Sequence, residues 1–212
     1  MLMKTMDFKK AFRDRFTGSD KTPTLISIPK TQYLSVSGKG DPALSRDYAA
    51  AIEVLFSVSY ATKFLIKRGP HLTDYSVLPL ESMWWVENTP RLSWDDKSNW
   101  LWKVMIMQPD LVEKDIVETA VSQVEKKKKN ILSLLSQVKF EEISEGMCAQ
   151  ILHKGPYANE GPTIEKLHSF IDDNGFDFNG NHHEVYLSDP RQAVPEKLRK
   201  LIRQPVKGKS KT

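Results

Sequence analysis

Glu184 and Tyr186 lie two residues apart in His182-His183-Glu184-Val185-Tyr186-Leu187-Ser188, a stretch that reads as a strand. Alternate residues of a strand share a face, so His182, Glu184, Tyr186 and Ser188 point one way and His183, Val185 and Leu187 the other. The apolar set is expected to meet the helices. Glu184 and Tyr186 then face the opposite side of the sheet, where aromatic residues of neighbouring strands could wall a cleft around one carboxylate. That is a small-molecule site in outline: rings supply contact area and a sparse acid supplies orientation or chemistry. The competing account is a solvated strand carboxylate.

All five tryptophans (Trp84, Trp85, Trp94, Trp100 and Trp102) fall in one short stretch. They could stack on flat aromatic ligands, and packing across a hairpin accounts for them equally well. In a regular strand Trp84 and Trp85 face opposite sides, one toward the core and one toward a pocket. Other chemistries lack their residues. There is no glycine-rich phosphate loop, dinucleotide fingerprint or nucleophile elbow, and no cofactor is expected. His182 and His183 are adjacent and diverge, while His71, His153 and His168 are scattered, so no metal site is expected. His168 reads as a packed helix residue, Asp172-Asp173 as a solvated pair, and the single Cys148 as a buried small hydrophobe.

These residues need a frame. Residues 1–23 form an amphipathic lead-in carrying Phe8, Phe12 and Phe16. Thr31 to Ser37 alternates as a strand, and Asp41-Pro42 offers an N-cap and a first helical residue. Leu44, Tyr48, Ala51, Leu55, Val58, Thr62 and Leu65 then make one apolar stripe that Gly69-Pro70 ends. Strands are expected at about 76–87 and 100–107, paired as a hairpin. Asp110 and Glu113 open a second helix that closes on Glu125-Lys126-Lys127-Lys128-Lys129, a run read as a solvated helix face. After Phe140 the plan repeats: a strand from Met147 to His153, a turn at Gly155-Pro156, a helix from Gly161-Pro162 to Gly175, and a strand from His182. A last helix is expected from Pro195 to about Arg203. The expected fold is α+β, with duplicated strand-helix-strand-strand modules, an antiparallel sheet, helices on one face and a ligand cleft between pseudo-symmetric halves. The boundaries are a lead-in at 1–23, one domain at 24–206 with repeats at about 24–110 and 138–190 plus the last helix, and a flexible tail at 207–212.

The chain has 212 residues, 40% hydrophobic and 27% charged, with a net charge of +4. This suits one globular unit and lacks a strongly basic nucleic-acid footprint. Met1 to Arg15 lacks the apolar core of a secretory signal. Glu53 and Lys63 interrupt the most apolar stretch, Tyr48 to Ile66, so no membrane span is expected. A cytoplasmic location fits.

Four segments carry a resemblance: Pro79-Leu80-Glu81-Ser82-Met83-Trp84-Trp85; Trp102-Lys103-Val104-Met105-Ile106-Met107-Gln108-Pro109-Asp110; Gln150 to Thr163 through Gly155-Pro156-Tyr157-Ala158-Asn159-Glu160-Gly161; and His182 to Arg191. In this order they resemble the gyrase-inhibitor-like (GyrI-like) small-molecule-binding family over roughly residues 24–206. The resemblance implies an acidic residue of the final strand deep in an aromatic pocket, which is Glu184 here, and a tyrosine in the glycine-containing turn, Tyr157. Trp84, Trp85, Trp102 and Tyr186 would be wall residues and His153 an additional pocket residue. Relatives that regulate transcription carry a DNA-binding domain for which this chain has no room, so it is expected to act alone, without nucleic acid.

The paired tryptophans and Met105-Ile106-Met107-Gln108-Pro109 are most similar to the branch described as cyclopropanoid cyclopropyl hydrolases, which open the strained ring of DNA-alkylating natural products. On that resemblance a desolvated Glu184, its pKa raised, is the general base toward water, and Tyr157 holds the water or donates to developing charge. The alternatives left open are a non-catalytic binder that sequesters hydrophobic drugs and a regulator that docks on gyrase.

Overall fold

The structure, a computed structural model, describes residues 4–209 except 71, 90, 93, 95 and 129–131. In chain order the elements are β1 (Lys4–Met6), α1 (Phe8–Ala11), α2 (Arg13–Phe16), β2 (Thr24–Ile28), β3 (Thr31–Lys39), α3 (Arg46–Arg68), β4 (Thr73–Tyr75), β5 (Leu80–Trp85), β6 (Leu101–Met107), α4 (Lys114–Lys127), α5 (Leu132–Leu135), β7 (Lys139–Ile143), β8 (Gly146–Lys154), α6 (Gly161–Asp173), β9 (Phe176–Phe178), β10 (His182–Tyr186) and β11 (Arg199–Gly208). One nine-stranded sheet runs β2-β8-β11-β10-β5-β6-β3-β7, with β9 also on β11. All its pairings are antiparallel.

The duplication is visible in the strand order. β3-α3-β5-β6 and β8-α6-β10-β11 are the same strand-helix-strand-strand unit, ordered β3-β6-β5 and β8-β11-β10 in the sheet, and they abut where β5 pairs with β10. Register makes residues equivalent. Trp84, Trp102 and Gly38 pair across the first unit as Tyr186, Lys200 and His153 pair across the second. Ser82, Val104 and Val36 correspond likewise to Glu184, Ile202 and Ile151. Ser82 and Glu184 pair with each other, on the pseudo-twofold axis.

Both long helices cover one face. Ala51, Val54, Leu55 and Val58 of α3 pack with Leu34, Val36, Val104 and Ile106, all essentially inaccessible. Ile164, Leu167 and Ile171 of α6 pack with Ala149, Ile151 and Ile202. Burying each such side chain is worth about 1.5–3 kcal/mol, which makes these two contacts the main fixture of the helices. Residues 13–18 lie against the reverse face, where Arg203 donates to the Arg15 carbonyl at 2.9 Å and Gln150 to the Thr17 carbonyl at 2.9 Å.

Several local expectations change. The cap of α3 is Ser45, whose side chain accepts from the Tyr48 N–H at 3.1 Å, rather than Asp41. Leu44 therefore precedes the helix and is exposed. Glu113 occupies the cap position of α4 without a side-chain bond, and Asp110 lies before it. The helix expected after Pro195 is one 3-10 turn, Pro195–Lys197, followed by the central strand β11. Its Lys200, Arg203 and Gln204 suggest a helix surface by polarity, but all three are buried against polar partners. Lys207 and Gly208 belong to β11 as well, so that part of the expected tail is strand, and residues 210–212 lie outside the described residues. Among the described residues α3 alone is long and apolar enough to cross a membrane, and one side of it is spent on the sheet.

Candidate active site

Glu184 faces the helices, the reverse of what alternation suggested. Tyr48 of α3 lies 5.4 Å from the Trp84 ring and 5.2 Å from Trp102, and Thr163 of α6 bonds His153 at 2.9 Å. Directly opposed residues share a face, so the register places Glu184 under the two helices with Ser82, Trp84, Lys200 and Ile202. The alternation misleads because both faces of β10 are inner: His182, His183, Glu184 and Val185 are all buried.

The carboxylate is held from several sides. Lys200 Nζ lies 2.7 Å from Glu184 Oε1, Tyr186 donates to Oε2 at 2.7 Å, and His182 Nε2 lies 3.3 Å from Oε1. The same ammonium pairs with Glu160, the residue in the cap position of α6. Gly155, at φ +111, turns the chain out of β8, and Pro156-Tyr157 leads into the 3-10 turn Tyr157–Asn159 just before Glu160. His153 fixes this turn by bonding the Thr163 hydroxyl at 2.9 Å and the Pro156 carbonyl at 3.1 Å. Lys200 lies beneath the Tyr157 ring, 4.7 Å from its centre, and the Tyr157 and Tyr186 rings are 5.8 Å apart.

One cation between two acids divides their proton affinities. For Glu184, burial alone would raise the pKa, but the Lys200 charge and the bond to His182 outweigh it and hold the carboxyl well below the usual range. This corrects the expectation of a raised Glu184. Glu160 is the raised one: burial and the charge of Glu184 push it up more than Lys200 pulls it down. Burial disfavours charge on Lys200 too, yet the two carboxylates keep its pKa raised. Tyr157 is pushed up to about 12, mainly by burial, so it remains a donor at neutral pH. The cluster therefore holds one fixed ion pair, one carboxyl suited to exchanging a proton and one phenol suited to donating a hydrogen bond. Tyr157 is the looser of the two phenols, donating to the Ser188 carbonyl at 3.4 Å where Tyr186 donates to Glu184 at 2.7 Å.

Beside this cluster, Trp84, Trp85, Trp94, Phe178 and His182 wall a cavity of about 220 Å³. Pockets for drug-sized ligands run to roughly 300–1,000 Å³, so this one suits a single flat ring system. His182 joins the two features, lining the cavity and contacting Glu184. The Trp94 ring packs edge-on against His182 at 5.1 Å and against Trp100 at 5.2 Å.

With that geometry in view, the chain can be set beside known proteins. Residues 21–207 match the model of the GyrI-like small molecule binding domain. The chain belongs to the GyrI-like family. Among solved structures it is similar to an uncharacterized conserved protein from Listeria innocua, with 34% identity and a TM-score of 0.86 over 95% of this chain and 100% of that one. It is also similar to two proteins described as hydrolases from the same organism, each 33% identical. One covers 95% of this chain and 100% of its own with a TM-score of 0.81. The other covers 96% and 100% with a TM-score of 0.83. No curated protein matches the chain.

In this GyrI-like domain the residues expected at the site fall into three groups. Glu184, Tyr157 and Tyr186 come together around Lys200. Trp84 and Trp85 both line the cavity, Trp85 being the last residue of its strand. Trp102 and His153 stand back. The Trp102 ring lies so close over Gly38 that a Cβ there would sit 2.2 Å from it, and His153 braces the turn before Tyr157. Sequence reasoning missed Lys200, hidden in the supposed last helix, and Glu160, quoted in a motif without a role. Only Glu160 had a signal, since Glu160-Gly161-Pro162 marks a helix start, whereas Lys200-Leu201-Ile202-Arg203-Gln204 has no polar-apolar alternation to show a strand.

Proposed function

We propose that this GyrI-like domain binds a flat, hydrophobic, electrophilic aromatic molecule and adds water to it, opening a strained cyclopropane ring conjugated to a dienone, as a cytoplasmic protective hydrolase. The observation that carries this reading is the cluster beneath Tyr157 in which buried Lys200 joins buried Glu184 to half-buried Glu160. The description of the two Listeria innocua relatives as hydrolases supports it.

The reaction needs little. Water attacks a cyclopropane carbon, the ring C–C bond breaks, and its electron pair enters the ring system as a phenolate. In this reading Glu160 accepts the proton from water, a step its raised pKa favours. The Glu184–Lys200 pair keeps the neighbouring charge fixed, and Tyr157 donates toward the developing phenolate oxygen. The proton finally reaches that oxygen, leaving a neutral phenol. Trp84 and Trp85 stack on the flat substrate.

The test is to incubate purified protein with a cyclopropyl-dienone alkylator and to follow the mass of the small molecule. Gain of one water, abolished in Glu160→Gln and Glu184→Gln, is the expected result. Stoichiometric binding of unchanged compound would instead support a second reading, sequestration. Two carboxylates sharing one lysine leave a negative charge that suits a cationic aromatic drug.

A further inference from the structure

The outer side of α3 carries Ile52, Phe56, Tyr60 and Phe64 at steps of four, the spacing that aligns side chains along one edge of a helix. Ile52 and Phe56 are partly buried against the core, and Tyr60 and Phe64 project beyond it. Tyr60 and Phe64 are 48% and 43% exposed, large values for such rings, and the Phe56 and Tyr60 rings lie 6.4 Å apart. These residues floor an open groove of about 990 Å³, bounded by α4 on one side and by the turn at 189–192 on another. At 1.5 Å per residue the stripe is roughly 18 Å long, over three helical turns.

The rim has a sign. Glu53 is taken by Lys128 at 2.9 Å and Asp189 by Arg191 at 2.7 Å. Arg68 and Lys127 also line the groove, and neither has a carboxylate partner among the described residues. Lys127 and Lys128, at the end of α4, overhang this apolar floor.

From the length, the apolar floor and the uncompensated cations, we infer that this groove is a docking surface for an acidic amphipathic helix of a partner protein. Such a helix would lay apolar residues on Phe56, Tyr60 and Phe64 and set carboxylates against Arg68 and Lys127. A small molecule fits less well, since small-molecule sites enclose most of their ligand and this groove is open along its length. A second copy of the chain would bring the same positive rim against itself. The groove adjoins the proposed site at the 188–192 turn but is lined by none of Glu160, Lys200 and Glu184, so the inference does not depend on the hydrolytic reading.

The probe is a stapled helical peptide of about 16 residues, leucine along one face and glutamate elsewhere, with a lysine version and a scrambled glutamate version as comparisons. Binding to the full chain is read by fluorescence anisotropy. The expected result is saturable binding of the acidic amphipathic peptide, at least tenfold tighter than either comparison. Phe64→Asp should weaken it at least tenfold. Because charge reversal at exposed positions leaves the core untouched, Arg68→Glu with Lys127→Glu provides the second variant and should favour the lysine peptide. Equal affinity for the three peptides, or no loss with either variant, would overturn the proposal. So would sedimentation as a dimer that Phe64→Asp dissociates, or tighter binding to phosphatidylserine vesicles than to the peptide.

Discussion

The two repeats have the same path and opposite chemistry. Where the first places Ser82, Trp84, Trp102 and Gly38, the second places Glu184, Tyr186, Lys200 and His153. Even the helix caps differ in kind, since Ser45 accepts from its own helix while Glu160 occupies the same position and reaches across to Lys200. The first repeat thus supplies an aromatic wall and the second an ionic one, and they meet at the Ser82–Glu184 pair. Duplication provides two matching surfaces, and divergence at a few register positions makes one suited to contact and the other to proton chemistry. The comparison also explains how a buried glutamate is tolerated: its neighbour at the position equivalent to Trp102 is a lysine.

The largest expected effect separates the walls by turnover. Glu160→Gln and Glu184→Gln should each lower turnover by about 10²–10⁴, the usual contribution of a positioned acid or base. Trp84→Phe should leave turnover within about threefold and act on ligand affinity, measured by tryptophan quenching. If the phenylalanine variant loses as much turnover as the glutamine variants, the walls are not divided in this way.

Next in size is the ionic wall's dependence on its one cation. Lys200→Met leaves the buried Glu184 and the half-buried Glu160 without their shared cation and should destabilise the fold by about 3–5 kcal/mol, measured by urea unfolding. Lys200→Arg should recover part of that.

A third test concerns the reverse face of the ionic repeat, where buried charges are balanced. His183 lies 2.9 Å from both Glu81 and Glu145, and Arg203 lies 3.4 Å from Glu145. Burial opposes a charge on His183, but Glu145 and the bond to Glu81 raise its pKa to about 9 from 6.5. A raised pKa gives stability that is fully present below the unfolded value and is lost as pH rises through the folded one. Unfolding free energy should therefore fall by about 3 kcal/mol between pH 6.5 and somewhat above 9, and His183→Gln should flatten that limb. Glu145, held below its usual range, works in the other direction, its contribution present at neutral pH and lost in acid. The smallest expected effect lies in the aromatic wall: Gly38→Ala should cost about 1–3 kcal/mol by pushing the Trp102 ring aside.

Much of the frame was legible in sequence. The apolar stripe of α3, the hairpin of β5 and β6, and the Gly161 to Gly175 helix are local patterns in which side-chain period and end signals agree. β11 was illegible because its burial depends on partners distant in sequence: Lys200 answers Glu160 and Glu184, and Arg203 answers Glu145 and Gln150. The facing of Glu184 failed for the same reason. A carboxylate reads as outward unless its counter-ion is known, and residues 13–18 bury the other face as well. Glu184 stood out from the strand pattern and Tyr157 from the resemblance, while Glu160 and Lys200 became functional candidates only when the register brought them together.

The most direct test of the ionic wall as the working part of the site is the pH dependence of cyclopropane opening in the parent and in Glu160→Gln. The account requires a limb in the parent that rises with pH and has a midpoint above the ordinary carboxylate range, and its loss in the variant. A variant with the same rising limb and the same plateau would contradict it.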